Sequence, residues 1–243
     1  MIFPTCYIEE VFVITFSFSF FSLVFGQTVA LIGATGCGKS SIINLIPRLY
    51  DATSGQVLVD GVDVRDYTQD ALRSKIGFVP QKAFLFAGTV SNNVGYGEDN
   101  ASDAAIRKAV AIAQAAEFVE SPEVGYSGTV AQGGSNFSGG QKQRLSIARA
   151  VARDPEILVF DDSFSALDYK TDHALRQALR EQTSGTTNII VAQRIGTIRD
   201  ADCILVIEDG AIVGKGTHRE LMESCKVYQE IAYSQLSKEE LAS

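Results

Sequence analysis

The stretch GATGCGKS at residues 33–40 constrains the fold of this chain most strongly. It matches the pattern GxxxxGK[ST] and lies between an apolar, β-branched run at 27–33 and a segment with helical spacing at 39–50. Glycines let the backbone turn its N–H groups inward around phosphate oxygens, and the helix that follows adds its positive end. Lys39 can reach the β- and γ-phosphates, and the Ser40 hydroxyl can bind Mg²⁺. The stretch therefore predicts a site for a nucleoside triphosphate.

The remaining patterns predict an α/β fold with a largely parallel sheet. The segment 55–64 alternates and turns at Asp60-Gly61, which indicates a hairpin. Between about 89 and 152 the chain is rich in alanine and helical in spacing, including 103–119, with no strand candidate. Strands alternating with helices form parallel sheets, so we expect one domain with two lobes. Further strand-like runs lie at 77–81, 156–161, 187–193, 203–210 and 211–216.

Composition narrows the possible partners. The 243 residues carry a formal net charge of −8, which argues against a nucleic-acid surface because such surfaces need clustered Lys and Arg.

The four cysteines show no CxxC spacing, so neither a disulfide framework nor a zinc site is expected. Cys37 lies inside the glycine-rich stretch, where a helix N-terminus favours the thiolate. His173 and His218 are expected to have structural or surface roles.

The first 25 residues have an unusual composition. They hold seven of the fourteen phenylalanines, and the first Lys or Arg of the chain is Lys39. The apolar run 11–25 is shorter than the ~20 residues that span a bilayer as a helix, and Glu9 and Glu10 precede it, which is unlike a signal peptide. The alternation of Phe and Ser at 16–20 favours a strand with one buried face. A fragment of something larger, with a truncated or misread start, and a membrane segment remain alternatives.

A second group of motifs follows about 100 residues after Lys39. The stretch NFSGGQKQRLSIARA at 136–150 can present backbone N–H groups to an anion at the start of a helix. The run ILVFDD at 157–162 then delivers two carboxylates, Asp161 and Asp162, at the end of a buried strand. Such an arrangement can hold a metal and direct a water molecule. The sequence leaves open whether these two aspartates perform both tasks.

With these motifs the chain resembles the nucleotide-binding domain of ATP-binding cassette (ABC) transporters over residues 26–236. FSGGQ resembles the family signature LSGGQ with Phe137 in place of Leu, GFVPQ supplies the Q-loop glutamine Gln81, and SALD at 165–168 is similar to the D-loop. The stretches 79–97 and 129–141 look most like the exporter branch. The resemblance implies a P-loop NTPase (RecA-like) parallel-sheet core, an antiparallel β subdomain, and a helical subdomain at about 82–152 between Q-loop and signature. Residues 237–243 would be a C-terminal tail.

The resemblance also implies cofactors, partners and residue roles. ATP and Mg²⁺ would bind between two cassettes arranged head to tail, and in the exporter branch a transmembrane domain would hold them at the cytoplasmic face of the membrane. An aromatic residue would stack on adenine, and counting back places Tyr7 or Ile8 there. Ser40, Gln81 and Asp161 would serve the metal, and Asp168 would run along the dimer interface; Gln81 could instead be a polar strand end and Asp168 a helix cap. The nucleotide-binding residues would be Gly33, Ala34, Thr35, Gly36, Cys37, Gly38, Lys39, Ser40, Ser41, Gln81 and Asp161. The residues that contact the partner's ATP would be Ser138, Gly139, Gly140 and Gln141.

Two positions depart from the family pattern. The catalytic position after the metal-binding aspartate is usually Glu but here is Asp162, and the switch position is usually His but here is Gln193. The shorter Asp162 side chain would fall short of the attacking water by about 1 Å, and a misplacement of that size can cost about 10²-fold in rate. Gln193 can donate a hydrogen bond but cannot carry charge or a proton. We therefore expect tight ATP binding and slow hydrolysis.

Three functions fit this pattern. The first is half of a heterodimeric exporter, whose degenerate site binds ATP while its signature completes a competent site on the partner. The second is a homodimeric exporter cassette with modest hydrolysis. The third is a soluble nucleotide-gated clamp, although the ~100-residue spacing from Lys39 to the signature leaves no room for a long coiled coil. The stretch 129–134 lies where contacts with a membrane domain are made in the family.

Overall fold

The computed structural model of the chain describes residues 11–16, 19–97, 101–183 and 185–235. The strands are β1 (Val11–Phe16), β2 (Ser19–Val24), β3 (Thr28–Ile32), β4 (Gln56–Val59), β5 (Val62–Asp63), β6 (Ile76–Val79), β7 (Gly88–Thr89), β8 (Thr129–Val130), β9 (Ile157–Asp161), β10 (Thr187–Val191), β11 (Cys203–Glu208) and β12 (Ala211–Gly216). The helices are α1 (Lys39–Leu45), α2 (Gln69–Ser74), α3 (Val90–Val94), α4 (Asp103–Ile112), α5 (Ala116–Val119), α6 (Gly139–Ala152), α7 (Tyr169–Gln182), α8 (Ile195–Ile198), α9 (His218–Ser224) and α10 (Lys226–Gln235), with a short 3₁₀ turn at Gln132–Gly134.

A mostly parallel sheet forms the centre of the fold, as the sequence predicted. Its order within the described residues is β12-β11-β3-β10-β9-β6, and β12 alone among these strands runs antiparallel to its neighbour. Because the parallel strands run the same way, β3, β10, β9 and β6 all end at one edge of the sheet. The loops that follow these strands carry the candidate site, as is usual in open α/β sheets.

The central strands are buried on both faces, which explains their continuous apolar runs. In β9, Val159 and Phe160 are both fully buried and face opposite sides. Val159 belongs to the apolar layer that includes Ile43 of α1, whereas Phe160 belongs to the layer that includes Leu145 of α6. Two layers of helices therefore enclose one sheet.

The helical region at 89–152 differs from the sequence prediction in two details. The predicted helix at 103–119 is two helices, α4 and α5, because Gln114 between them has φ 55, which ends the regular turn. The statement that 89–152 has no strand candidate is wrong, because β7 and β8 pair antiparallel there. A two-residue strand is too short to leave an alternating pattern in the sequence, so the pairing could not be read from it.

The antiparallel sheet includes the segment that precedes the glycine-rich loop. Its order is β2-β1-β4-β5 within the described residues, with Ile14 opposite Val57. The single strand expected across residues 16–20 is wrong: Phe16 pairs with Ser19, so two antiparallel strands meet there. The proposed adenine contacts, Tyr7 and Ile8, lie outside the described residues.

Helices α9 and α10 pack against β12, the edge strand of the central sheet. Thr217 and Glu220 form a capping box at the start of α9, where each side chain bonds to the backbone of the other residue. His218 at that start accepts or donates a 2.7 Å hydrogen bond between its Nδ1 and the hydroxyl of Tyr228, which is fully buried. Within the residues that the structure describes, no helix is long and apolar enough to cross a membrane.

Candidate functional site

The glycine-rich loop connects β3 to α1 and folds as an open cradle. Gly33, Gly36 and Gly38 all have positive φ, and Gly38 is the N-cap of α1. Glycine adopts such angles without the cost of a side chain against the backbone. The carbonyl of Cys37 accepts a hydrogen bond from the N–H of Gly210 at 3.2 Å, which ties the loop to the turn after β11.

The Lys39 side chain is hydrogen-bonded to the main chain of the glycine-rich loop. It is only 7% exposed, and its Nζ donates to the carbonyls of Gly33 and Ala34, both at 2.8 Å. The Cys37 sulfur lies 3.5 Å from the same nitrogen. A charged amine whose hydrogen bonds go to carbonyls can exchange them for phosphate oxygens, which are stronger acceptors for a cation. Lys39 is therefore already positioned for an anion in the loop.

Two oxygen ligands suitable for a magnesium ion meet beside Lys39. The Ser40 hydroxyl, in the first turn of α1, donates to Oδ1 of Asp161 at the end of β9, at 2.9 Å. Hydroxyl and carboxylate oxygens match the preference of Mg²⁺, which usually binds one or two protein groups together with substrate phosphates. The residues present therefore fit the ion, and Gln81 lines the same cavity with an amide oxygen that could join them.

Asp162, Gln81 and Gln193 converge on one point although they follow three different strands. Oδ2 of Asp162 accepts from Nε2 of Gln193 at 2.9 Å and from Nε2 of Gln81 at 3.2 Å. Asp162 has φ 45, in the left-handed region that aspartate tolerates better than most residues. Its carboxylate thus lies between the Q-loop amide and the amide at the switch position.

The surroundings of Asp162 change its acidity. Burial raises the pKa of this carboxyl above its usual value, and the hydrogen bonds from Gln81 and Gln193 oppose that rise without cancelling it. The neighbouring Asp161 carboxylate adds to the rise. A carboxylate with a raised pKa is a stronger base, which is the property needed to take a proton from water.

Two cavities border the loop, and Gln193 lies between them. The smaller, about 230 Å³, is lined by all the predicted metal and catalytic residues, Ser40, Gln81, Asp161, Asp162 and Gln193. It is also lined by the predicted nucleotide-binding residues Thr35, Gly36, Gly38, Lys39 and Ser41, and by Val191. The larger, about 620 Å³, lies between the loop and α10 and is lined by Gly33, Ala34 and Cys37 among others. Thr35, Gly36 and Gln193 border both.

The SGGQ signature lies apart from these cavities, at the start of α6. Ser138 is the N-cap: its Oγ accepts from the N–H of Gln141 at 3.3 Å, and Oε1 of Gln141 accepts from the N–H of Ser138 at 2.9 Å. Gly139 has open space where a Cβ would lie, and neither it nor Gly140 lines either cavity of the phosphate loop. The signature is therefore a preformed helix start that lies outside the two cavities bordering this chain's own loop.

Asp168 caps a helix. Its Oδ1 accepts from the N–H of Thr171 at 3.0 Å and its Oδ2 from the Thr171 hydroxyl at 2.7 Å, at the start of α7. The Thr171 N–H, more than the hydroxyl, holds the pKa of Asp168 below its usual value. The capping alternative given from the sequence is thus present, and the interface role stays a prediction.

Sequence reasoning missed side chains that join the motifs to one another. Ser163 is buried, and its hydroxyl donates to the carbonyl of Val79 at 3.0 Å, which connects the end of β9 to the end of β6. Gln143 of α6 donates to the carbonyl of Pro80 at 3.4 Å, next to the Q-loop. A buried Gln in an amphipathic helix is the signal that could have drawn attention to Gln143.

Comparisons with known proteins identify the family of this chain. A family profile described as "ABC transporter" matches residues 19–165. An uncharacterized ABC transporter ATP-binding protein of Mycobacterium tuberculosis is 49% identical over 213 residues, covering 86% of this chain and 36% of that protein. A similarly described protein of Bacillus subtilis is 45% identical over 213 residues, covering 88% and 37%. A solved bacterial Atm1-family ABC exporter with ATP bound matches 97% of this chain and 44% of its own, with TM-score 0.88 and 35% identity.

The fold and the loop define a P-loop nucleotide-binding domain of the α/β class. The chain belongs to the ABC transporter family and is an ATP-binding cassette with the ATPase fold of that family. It spans little more than a third of the length of the Mycobacterium tuberculosis and Bacillus subtilis proteins named above.

Proposed function

We propose that this chain is the ATP-binding cassette of a heterodimeric membrane exporter, with a site of its own that holds Mg-ATP and hydrolyses it slowly. The observation that carries the proposal is the contact between Asp162 and Gln193 at 2.9 Å. Where the family pattern has a glutamate and a histidine, this chain has a shorter acid bonded to an uncharged amide.

Binding and hydrolysis depend on different groups at this site. Lys39, the loop amides, and the Ser40–Asp161 pair hold the triphosphate and its metal, and none of them departs from the family pattern. The bound Mg²⁺ would neutralise charge that develops on the phosphates. The attacking water, in contrast, depends on Asp162, whose carboxylate stays about 1 Å short of the position that a glutamate reaches. Slow turnover with tight binding follows.

The signature would act on the ATP of a second cassette. Ser138 and Gln141 form a complete capping box, so the first turn of α6 is ordered before any partner arrives. A helix N-terminus of this kind attracts a phosphate because its N–H groups have no partners within the helix. We expect it to complete the partner's site and so allow fast hydrolysis there.

An exposed aromatic surface offers a place for a membrane domain. Phe84, Phe86 and Tyr96 are 47%, 40% and 54% exposed, and the rings of Phe86 and Tyr96 stack with centroids 4.5 Å apart. The Arg149 guanidinium lies 5.3 Å from the Phe86 centroid. Gly133, in the stretch 129–134, adjoins Phe84. Clustered exposed rings mark interaction sites, and a transmembrane domain at the cytoplasmic membrane face is the partner that the family suggests.

A complementation experiment tests the proposal with this chain alone. One member carries Asp162→Glu, Gln193→His and Ser138→Ala, which restores its own catalytic pair but removes its signature. The wild-type chain is the other member. We expect little hydrolysis from the triple variant alone, slow hydrolysis from wild type, and a rate at least tenfold above the sum when the two are mixed.

Matched controls identify the site that is active in the mixture. Ser138→Ala in the second member should abolish the gain, whereas Lys39→Ala there should largely preserve it, because the active nucleotide lies on the other chain. A mixture no faster than the sum of its members would contradict the head-to-tail proposal.

A homodimeric exporter with modest activity is the second candidate. The raised pKa of Asp162 favours it, because a more basic carboxylate partly offsets a longer distance to the water. Under this alternative the wild-type chain alone would already hydrolyse ATP at a rate that Asp162→Glu barely improves.

A further inference from the structure

The C-terminal helix reaches the catalytic edge of the sheet through the side chain of Gln235. Its Nε2 donates to the carbonyl of Gln193 at 2.8 Å, and its Oε1 accepts from the N–H of Ile195 at 2.9 Å. One amide group therefore bonds to the main chain on both sides of Arg194. We call residues 192–194, between the end of β10 and the start of α8, the switch loop.

Gln235 is the last residue of α10 and is exposed, but it follows two buried residues on the same face of this helix. Tyr228 and Ala232 on this helix are fully buried, and Gln235 follows them at the i, i+4, i+7 spacing that places three residues on one helix face. The next residue of such a stripe is usually apolar. Here it meets a main-chain carbonyl and a main-chain N–H, and a glutamine amide supplies one donor and one acceptor in fixed geometry.

The contact also completes the start of α8. This four-residue helix begins at Ile195, and its N-cap residue Arg194 provides no side-chain cap. The first N–H groups of a helix have no partners within it. Gln235 supplies an acceptor to one of them from a different helix, so the docking of α10 and the order of the switch loop are linked.

We propose that Gln235 is a positioning residue for ATP hydrolysis, which holds the switch loop so that Gln193 stays on Asp162. This inference rests on the proposed function of the site, in which Gln193 at the switch position bonds to Asp162. Gln193 borders both cavities whereas Asp162 lines the smaller one, so a shift of the Gln193 main chain toward the larger cavity would break the 2.9 Å contact with Asp162. Arg194 donates to the carbonyl of Ser165 at 3.2 Å, so the same loop also touches the D-loop.

The test uses Gln235→Met in the full chain, which keeps the length of the side chain but removes both hydrogen bonds. Gln229→Met is the matched control, because Gln229 on the same helix donates to the Met222 carbonyl at 2.8 Å, away from the switch loop. Two readouts are taken with Mg-ATP bound: hydrogen exchange of the peptide covering 192–196, and single-turnover hydrolysis.

We expect Gln235→Met to speed exchange of that peptide by about fivefold or more and to slow hydrolysis by roughly five- to tenfold, equivalent to about 1 to 1.4 kcal/mol. Mg-ATP affinity should stay within about twofold of wild type, since the phosphate loop is untouched and the barrier alone changes. Gln229→Met should leave both readouts unchanged. In a Gln193→Ala background, Gln235→Met should cause no further slowing, because both changes act on one interaction.

The outcomes separate this inference from the proposed function. Wild-type exchange in Gln235→Met, faster exchange with no change in hydrolysis, or an additive effect in the Gln193→Ala background would each overturn the positioning role. If Gln193→Ala alone leaves hydrolysis unchanged, the proposed role of Gln193 is overturned, and the inference that depends on it falls with it.

Discussion

Gly33→Ala should destabilise the domain because the added Cβ would overlap neighbouring atoms, and the structure gives the distances to them. A Cβ at Gly33 would lie 2.0 Å from the carbonyl oxygen of Ile207 and 2.8 Å from the Cys37 sulfur. An ordinary carbon–oxygen contact is about 3.3 Å, so the end of β11 would have to move by about 1 Å or more. That strand pairs with β3 inside the central sheet, where backbone shifts are costly. We expect a loss of about 3 kcal/mol in the free energy of unfolding.

Gly36→Ala provides the matched comparison within the same loop. A Cβ there meets nothing within 4 Å, but φ is +83, so the cost is backbone strain of about 1–2 kcal/mol. Urea denaturation of both variants and wild type without nucleotide measures the difference. If Gly33→Ala is within about 0.5 kcal/mol of wild type, or is less damaging than Gly36→Ala, the close approach of the loop to β11 is refuted.

Three further predictions concern the site and its support. Alkylation of Cys37, whose sulfur lies 3.5 Å from the Lys39 amine, should block nucleotide binding, and ATP should protect it; equal labelling with and without ATP would contradict this. Burial raises the pKa of Asp162 in the native state above its value in the unfolded chain, so the native state binds this proton more tightly. The free energy of unfolding of wild type therefore falls as the pH rises from the unfolded-state pKa through the native-state pKa. Asp162→Asn should therefore gain stability relative to wild type across that interval, measured by denaturation at several pH values, and a constant difference would speak against it. Asp172→Ala removes the 3.0 Å partner of the buried Arg176, which keeps Asp200 at 3.7 Å, and should cost about 3 kcal/mol. Asp51→Ala, in an exposed pair, should change the denaturation midpoint little.

The core of the fold was predictable because its signals are local. The glycine-rich loop fixes a strand before it and a helix after it, and β9 appears in the sequence as an apolar run that ends in Asp161. Parallel order then follows from the alternation of strands and helices. The positions of Lys39, Ser40 and Asp162 around one cavity follow from strands that end at the same edge of the sheet.

The details that the sequence did not reveal depend on contacts between distant segments. The bend at Gln114 and the two-residue pairing of β7 with β8 leave no periodic pattern. Gln235 belongs to no recognised sequence motif. Its two hydrogen bonds to the main chain at the switch loop and at the start of α8 depend on how α10 packs against α8. The position of the Asp162 carboxylate between the amides of Gln81 and Gln193 likewise depends on three separate strands of the sheet, which residue identity alone does not give.

The most direct test of the account is ATP turnover and trapped-nucleotide stoichiometry for wild type, Asp162→Glu, Gln193→His and the double variant. We expect wild type to bind Mg-ATP with little hydrolysis, and the double variant to turn over ATP at least tenfold faster without a comparable change in binding. Fast hydrolysis by wild type, with little effect of either change, would contradict a degenerate site and would place the homodimeric exporter first.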